Sequence, residues 1–197
     1  MHFVRNHCKR IKMERRHDIN CLVVNFTLVN HKNIIISLTQ NKEVFKAQLL
    51  GKSHEEYTFK PTSDKWCMLE VLCHLVDEER EDFRTRVEYV LQDPNEPLPT
   101  FDPTEWPASR NYIDQNYDSK VAEFLAERSK SVDWLESLVY PKWDNTYQHP
   151  KLGPMSAELF LANWLAHDHI HIRQLNRLAF EYLQDQSGFD LSYAGNF

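Results

Sequence analysis

Glycine is scarce in this sequence, with four in 197 residues. That scarcity argues against a turn-rich β-sandwich or barrel, and against a glycine-rich phosphate cradle, since both need unusual backbone angles and close backbone approach. Cysteine is equally rare. Cys8, Cys21, Cys67 and Cys73 form no C-x-x-C pair and no dense framework, so they read as free thiols of a reducing cytoplasm. Cys67 and Cys73 sit among helical apolar residues and are expected to be core packing. No run approaches the ~20 apolar residues of a membrane span. Cys21–Val29 follows a basic stretch, but Asn25 and Thr27 interrupt it and no small-residue cleavage site follows, so a secretory signal is rejected. A soluble cytoplasmic protein is expected.

An excess of positive charge is missing from most of the chain. The formal net charge is -6, and residues 1–33 hold seven Lys/Arg against two Asp/Glu, a local excess of +5. The rest therefore carries 16 basic and 27 acidic residues, a net of -11. A body that acidic repels phosphate backbones and excludes nucleic acid as the expected partner. Residues 1–32 have no helical period and read as an N-terminal extension, expected to be poorly ordered. His2, His7, His17 and His31 fall in it and receive no role.

What is present is helical period. Ile34, Leu38, Phe45 and Leu49 share one face until Gly51. Pro61-Thr62-Ser63-Asp64 supplies a start signal for a second helix ending near Gln92, with a stripe of Met68, Leu72, Leu75, Phe83, Val87 and Val90. Residues 93–109 hold five prolines, too many for helix, and their length suggests a crossover along a bundle. A third helix carries Ile113, Tyr117, Val121, Phe124, Val132, Leu135 and Leu138. Pro141, Pro150, Gly153 and Pro154 mark a further loop, and Ser156 caps a fourth helix reaching about Gln184. Helices two and four, each about 30 residues, would be on the order of 45 Å long. The fold class expected is all-α, a four-helix bundle over residues 33–186 with a C-terminal tail over 187–197.

Helix four carries the chemistry. Its inward stripe reads Phe160, Trp164, His167, His171, Leu175, Leu178, Tyr182, so two successive core positions are histidine. Residues four apart lie one turn above each other, and two imidazoles there can face one divalent ion. The bland alternative is a pair of hydrogen-bonded core histidines, which must satisfy a donor and an acceptor on each ring. His74 on helix two supplies a third partner, with Asp77 and Glu78 one turn on, placed to orient the imidazole or act as general base. The rest of the acidic run Asp77–Asp82 is expected to be a solvated face. His169 points ~160° away from its neighbours and is assigned to the surface. Trp66, Trp164 and Tyr117 are expected to be core, the alternative being that they line an approach to the ion.

The segment Trp66-Cys67-Met68-Leu69-Glu70-Val71-Leu72-Cys73-His74-Leu75 with Asp77 resembles the second-helix signature of the DinB-like superfamily. His167-Asp168-His169-Ile170-His171-Ile172-Arg173-Gln174-Leu175 resembles its fourth-helix H-x-x-x-H motif. The resemblance covers roughly residues 33–186. It implies an up-down-down-up bundle, frequently a bacterial homodimer, with one zinc or nickel ion on the positions matched by His74, His167 and His171. Some members of the family are transferases using a low-molecular-weight thiol such as bacillithiol or mycothiol.

Two classes of function follow. One is a metal-dependent thiol-S-transferase or hydrolase acting on a small molecule, with Asp77 and Glu78 as the candidate catalytic residues. Three protein ligands leave an open position for its nucleophile. The other is a non-catalytic dimeric stress-related binding protein with a structural metal, expected to be closed by a fourth ligand such as Glu78.

Overall fold

The computed structural model describes residues 30–92, 98 and 103–195. Apart from Asn30, His31 and Lys32, the expected N-terminal extension lies outside the described residues. Helix α1 is His31–Leu49, two residues earlier than the apolar period suggests. The Asn30 side chain accepts from the Asn33 backbone N–H at 3.1 Å and so satisfies a free helix donor. A short helix α2, His54–Thr58, follows.

The second long helix starts later than the Thr-Ser-Asp signal implies. Thr62 Oγ1 donates to Asp64 Oδ1 at 2.6 Å, so those residues close a local turn instead of capping. Cys67 is the N-cap, and Glu70 reaches back to accept from its backbone N–H at 2.8 Å. The helix runs as α3 Met68–Asp77, a π-helical turn Glu78–Phe83, and α4 Arg84–Gln92.

In the crossover, Pro94, Pro97 and Pro99 lie outside the described residues. Trp106–Ser109 nevertheless forms a helical turn, α5, with Pro107 in its first turn, where a missing N–H costs nothing. Ile113 belongs to a 3-10 turn, Tyr112–Asp114, rather than to the third helix. That helix, α6, is Tyr117–Ser137. The punctuated loop holds a hairpin that the sequence does not advertise, because four-residue strands are too short for a period of two to register. In it β1, Thr146–His149, pairs antiparallel with β2, Gly153–Ser156, and Gly153 takes a positive φ of 77°. Helix α7, Ala157–Ser187, is capped by Ser156 and ends at the left-handed Gly188.

Contacts along the helices fix their directions. Met68 meets Tyr117, Arg80 meets Glu123 and Arg84 meets Ser131, so α3–α4 and α6 run parallel. Asn41 meets Asp168 and Gln48 meets Asn176, so α1 and α7 are also parallel. His74 lies against His171 while Phe83 lies against Trp164, which makes these two pairs of helices antiparallel to each other. The topology is up-down-down-up. Among the described residues, no helix is long and apolar enough to cross a membrane.

The core is two apolar clusters rather than one. The first gathers Phe45, Leu49, Leu72, Val76, Phe124 and Leu175; the second gathers Leu38, Val87, Val132, Leu161 and Trp164. Between them lies a buried polar layer with one residue from each long helix: Asn41, Glu79, Arg128 and Asp168. Arg128 pairs with Glu79 at 2.8 Å and with Asp168 at 2.6 Å.

Candidate metal centre

Within the stretch expected to be a solvated face, Glu79 is instead 2% exposed, and Arg80, Glu81 and Asp82 are half-buried. Asp77 and Glu78, set apart from that face in the sequence, are each 4% exposed. The π-helical turn adds a residue to the helical period between Leu75 and Phe83, turning Glu79 inward toward Arg128 while the apolar stripe continues on both sides. This turn also carries Glu78 past His74.

His74, His167 and His171 converge. Each offers one ring nitrogen, and the three atoms lie within 4.8 Å of one another. The ring centroids are 5.4 Å (His74–His167), 5.0 Å (His74–His171) and 4.3 Å (His167–His171) apart. Nε2 of His167 and Nε2 of His171 are 3.0 Å apart, close to the ~3.0–3.4 Å separating two ligands that are each ~2.1 Å from one ion. Gln174 Oε1 lies 2.8 Å from Nδ1 of His171. Acting as an acceptor there, it keeps the proton on Nδ1 and leaves the Nε2 lone pair facing His167.

The electrostatics suit neutral ligands. Burial, reinforced by His171, pushes the His74 pKa down to about 3. Burial, with His171 and His74, pushes His167 down to about 2. Burial also lowers His171, against the opposing pull of Gln174 and Asp168. All three imidazoles are therefore uncharged near neutrality and keep a lone pair. Nδ1 of His74 is buried without a hydrogen-bond partner. Such an atom costs ~1–3 kcal/mol. The donor set, three neutral imidazoles whose offered nitrogens lie within 4.8 Å of one another, fits a divalent ion.

Glu78 Oε1 lies 3.8 Å from that nitrogen; with His74 neutral the approach is not an ion pair. Burial, then Asp82, pushes the Glu78 carboxyl up to about 8. Asp77 faces elsewhere. Tyr112 donates to its Oδ2 at 2.6 Å, Arg110 lies 2.8 Å from the same oxygen, and Arg80 lies 3.1 Å from Oδ1. The two acids sit side by side in sequence, yet only Glu78 neighbours the histidines.

His169 is exposed. Trp66 packs edge-on to His74 at 5.1 Å, and Phe83 lies 4.8 Å from His167. Trp164 and Tyr117 are core residues, 1% and 3% exposed. Trp164 donates its indole N–H to Glu79 at 3.0 Å, and the Tyr117 hydroxyl donates to the Leu49 carbonyl at 2.7 Å. Sequence reasoning missed Asn41, Glu79, Arg128 and Asp168. For three of them a signal was present: Asn41, Glu79 and Arg128 fall in gaps of their helices' apolar stripes, at Leu38–Phe45, Leu75–Phe83 and Phe124–Val132, whereas the stripe of α7 runs past Asp168 without a gap.

An up-down-down-up bundle with three histidines gathered between its second and fourth long helices defines the class of protein. The sequence profile of the DinB superfamily matches residues 38–175, and the chain belongs to that superfamily. Among solved structures it is similar to YfiT from Bacillus subtilis, described as "a probable metal-dependent hydrolase with an unusual four-helix bundle topology". The two share 15% identity with a TM-score of 0.67, over 91% of this chain and 95% of that one. At that identity the likeness is one of fold. No curated protein matches the chain.

Proposed function

We propose that the chain is a metal-dependent enzyme acting on a small molecule, with one divalent ion, zinc or nickel, held by His74, His167 and His171. The observation that carries this reading is the composition of the ligand group. Among the described residues it contains three neutral imidazoles and no fourth protein ligand. Structural zinc sites are closed by four ligands, whereas catalytic sites keep a position open. An ion there supplies Lewis acidity and favours the deprotonated form of a nucleophile.

Hydrolysis is the reaction the surroundings support best. Glu78 is a buried carboxyl beside the ligand group, its Oε1 3.8 Å from Nδ1 of His74, which places it to serve as the general base. It takes the proton of the attacking water. Asp77, engaged by Tyr112, Arg80 and Arg110, holds the π-helical turn in place. The description of YfiT as "a probable metal-dependent hydrolase" supports the same choice.

Transfer of a low-molecular-weight thiol is the second reading. It is favoured by the cysteines among the described residues, Cys67 and Cys73, which are buried and outside the ligand group, so that neither offers the thiol a small molecule would bring. The family resemblance supports a homodimer, which sedimentation equilibrium would read.

The test starts with metal content, measured on untagged protein beside the His167→Ala/His171→Ala double variant. The loaded protein is then assayed on esters, amides and lactones, and on an aryl halide with and without small thiols. Metal-dependent hydrolysis that fails in Glu78→Gln supports the first reading. Conjugation that appears only with an added thiol supports the second. Stoichiometric metal that stabilises the fold without any turnover would replace both with a non-catalytic binding protein.

A further inference from the structure

We propose that Arg128 is the positioning residue of the metal centre, a single guanidinium that sets the separation and rotation of the two helices carrying the histidines. The proposal rests on the metal-binding reading above. The Arg128 side chain is 1% exposed and binds a carboxylate on each of those helices. Nε and Nη2 donate to the two oxygens of Glu79, each at 2.8 Å. Nη1 and Nη2 donate to the two oxygens of Asp168, each at 2.6 Å. Nη1 also reaches the Leu38 carbonyl at 3.3 Å.

The two carboxylates occupy informative positions. Glu79 follows Glu78 in the π-helical turn, one helical turn beyond His74. Asp168 lies between His167 and His171 on α7. One rigid planar group thus fixes the distance between the backbone that carries His74 and the backbone that carries the other two ligands. Neither acid is free to turn away. Asn41 donates to Asp168 at 3.1 Å and Trp164 donates to Glu79 at 3.0 Å. Phe45 and Phe124 lie 5.9 Å and 5.5 Å from the guanidinium carbon. A lysine at this position keeps the charge but has a single ammonium with three donors, too few for two bidentate pairs.

A cluster serving stability alone would lower the melting temperature when altered and leave the ion's surroundings unchanged. A positioning group changes the ligand geometry itself. Cobalt(II) added to the full chain separates the two, because its visible absorption reports coordination geometry. Affinity and spectrum are measured for the wild type, for Arg128→Lys, for the near-isosteric Glu79→Gln, and for Leu135→Ala in the far apolar cluster as a stability control. Arg128→Lys is expected to bind at least tenfold more weakly with altered bands, Glu79→Gln to shift the same way by less, and Leu135→Ala to melt earlier with affinity and bands unchanged.

Wild-type affinity and bands in both clamp variants overturn the proposal and leave the metal reading standing. Weakening in Leu135→Ala equal to that in Arg128→Lys also overturns it, since affinity would then follow global stability. If Arg128→Lys does not fold, Glu79→Gln decides. A wild type that binds no cobalt overturns the metal reading, and this proposal with it.

Discussion

Replacing Arg128 with methionine tests whether the polar layer is held together by compensated charge. The layer contains one guanidinium and two carboxylates, Glu79 and Asp168, that are 2% and 0% exposed. Removing the cation leaves two anions facing each other across the bundle without a counter-charge. Breaking a buried pair in this way costs about 3–5 kcal/mol, a large part of the ~5–15 kcal/mol that stabilises an ordinary domain. With a urea m-value of about 2 kcal/mol/M, the midpoint should fall by roughly 1.5–2.5 M. Equilibrium urea unfolding followed by far-ultraviolet circular dichroism reads that shift directly. Adding Glu79→Gln and Asp168→Asn to Arg128→Met removes the stranded charges, and most of the lost stability should return, a non-additivity expected of groups in one network. A loss below ~1 kcal/mol for Arg128→Met, or a triple variant no more stable than the single one, would refute the account of the layer as a charge-compensated unit.

Three further outcomes are expected. Burial pushes the Cys67 thiol up to about 11 and the Cys73 thiol up to about 12, so iodoacetamide at pH 8 should label both far more slowly in the native protein than in urea. Peptide-resolved mass spectrometry reads this, and native labelling at free-thiol rates would contradict the packing described. The Arg110 fork bonded to Glu81 holds that carboxyl below its ordinary value of 4.5. A depressed folded pKa contributes stability that is present above the unfolded value and lost as pH falls through the folded one. Stability should therefore drop below pH 4.5, less steeply in Glu81→Gln; identical acid slopes for the two proteins would count against the pairing. Gln174→Leu removes the group that fixes the His171 tautomer and should weaken metal binding about 10–100-fold with little loss of helicity. Unchanged affinity in a competition titration would show that the tautomer is set some other way.

Residue spacing alone locates the fourth helix. Ser156 is an N-cap, and a 3.6 period runs from Phe160 to Tyr182, local properties that the chain carries wherever it is placed; the helix continues three residues past the expected end near Gln184, to Ser187, and stops at the left-handed Gly188. Two histidines in consecutive core positions are legible for the same reason. The inward turn of Glu79 is not: an acid on a solvated face and one buried in a π-helical turn have the same local sequence, and only packing against α6 and α7 distinguishes them. The hairpin at residues 146–156 escapes because its strands are shorter than the pattern that would reveal them.

The amino-acid sequence determined the long helices, the Ser156 cap, the acidic body and the candidate ligands His74, His167 and His171, because each depends on composition or on interactions within a few turns of one segment. Tertiary structure decided which of the neighbouring acids Asp77 and Glu78 turns toward the histidines. It also decided that Asn41, Glu79, Arg128 and Asp168, carried on four different helical segments, meet in one layer. Those partners lie between 40 and 127 residues apart in the chain, so their pairing is set by the parallel and antiparallel packing of four helices and by no local rule.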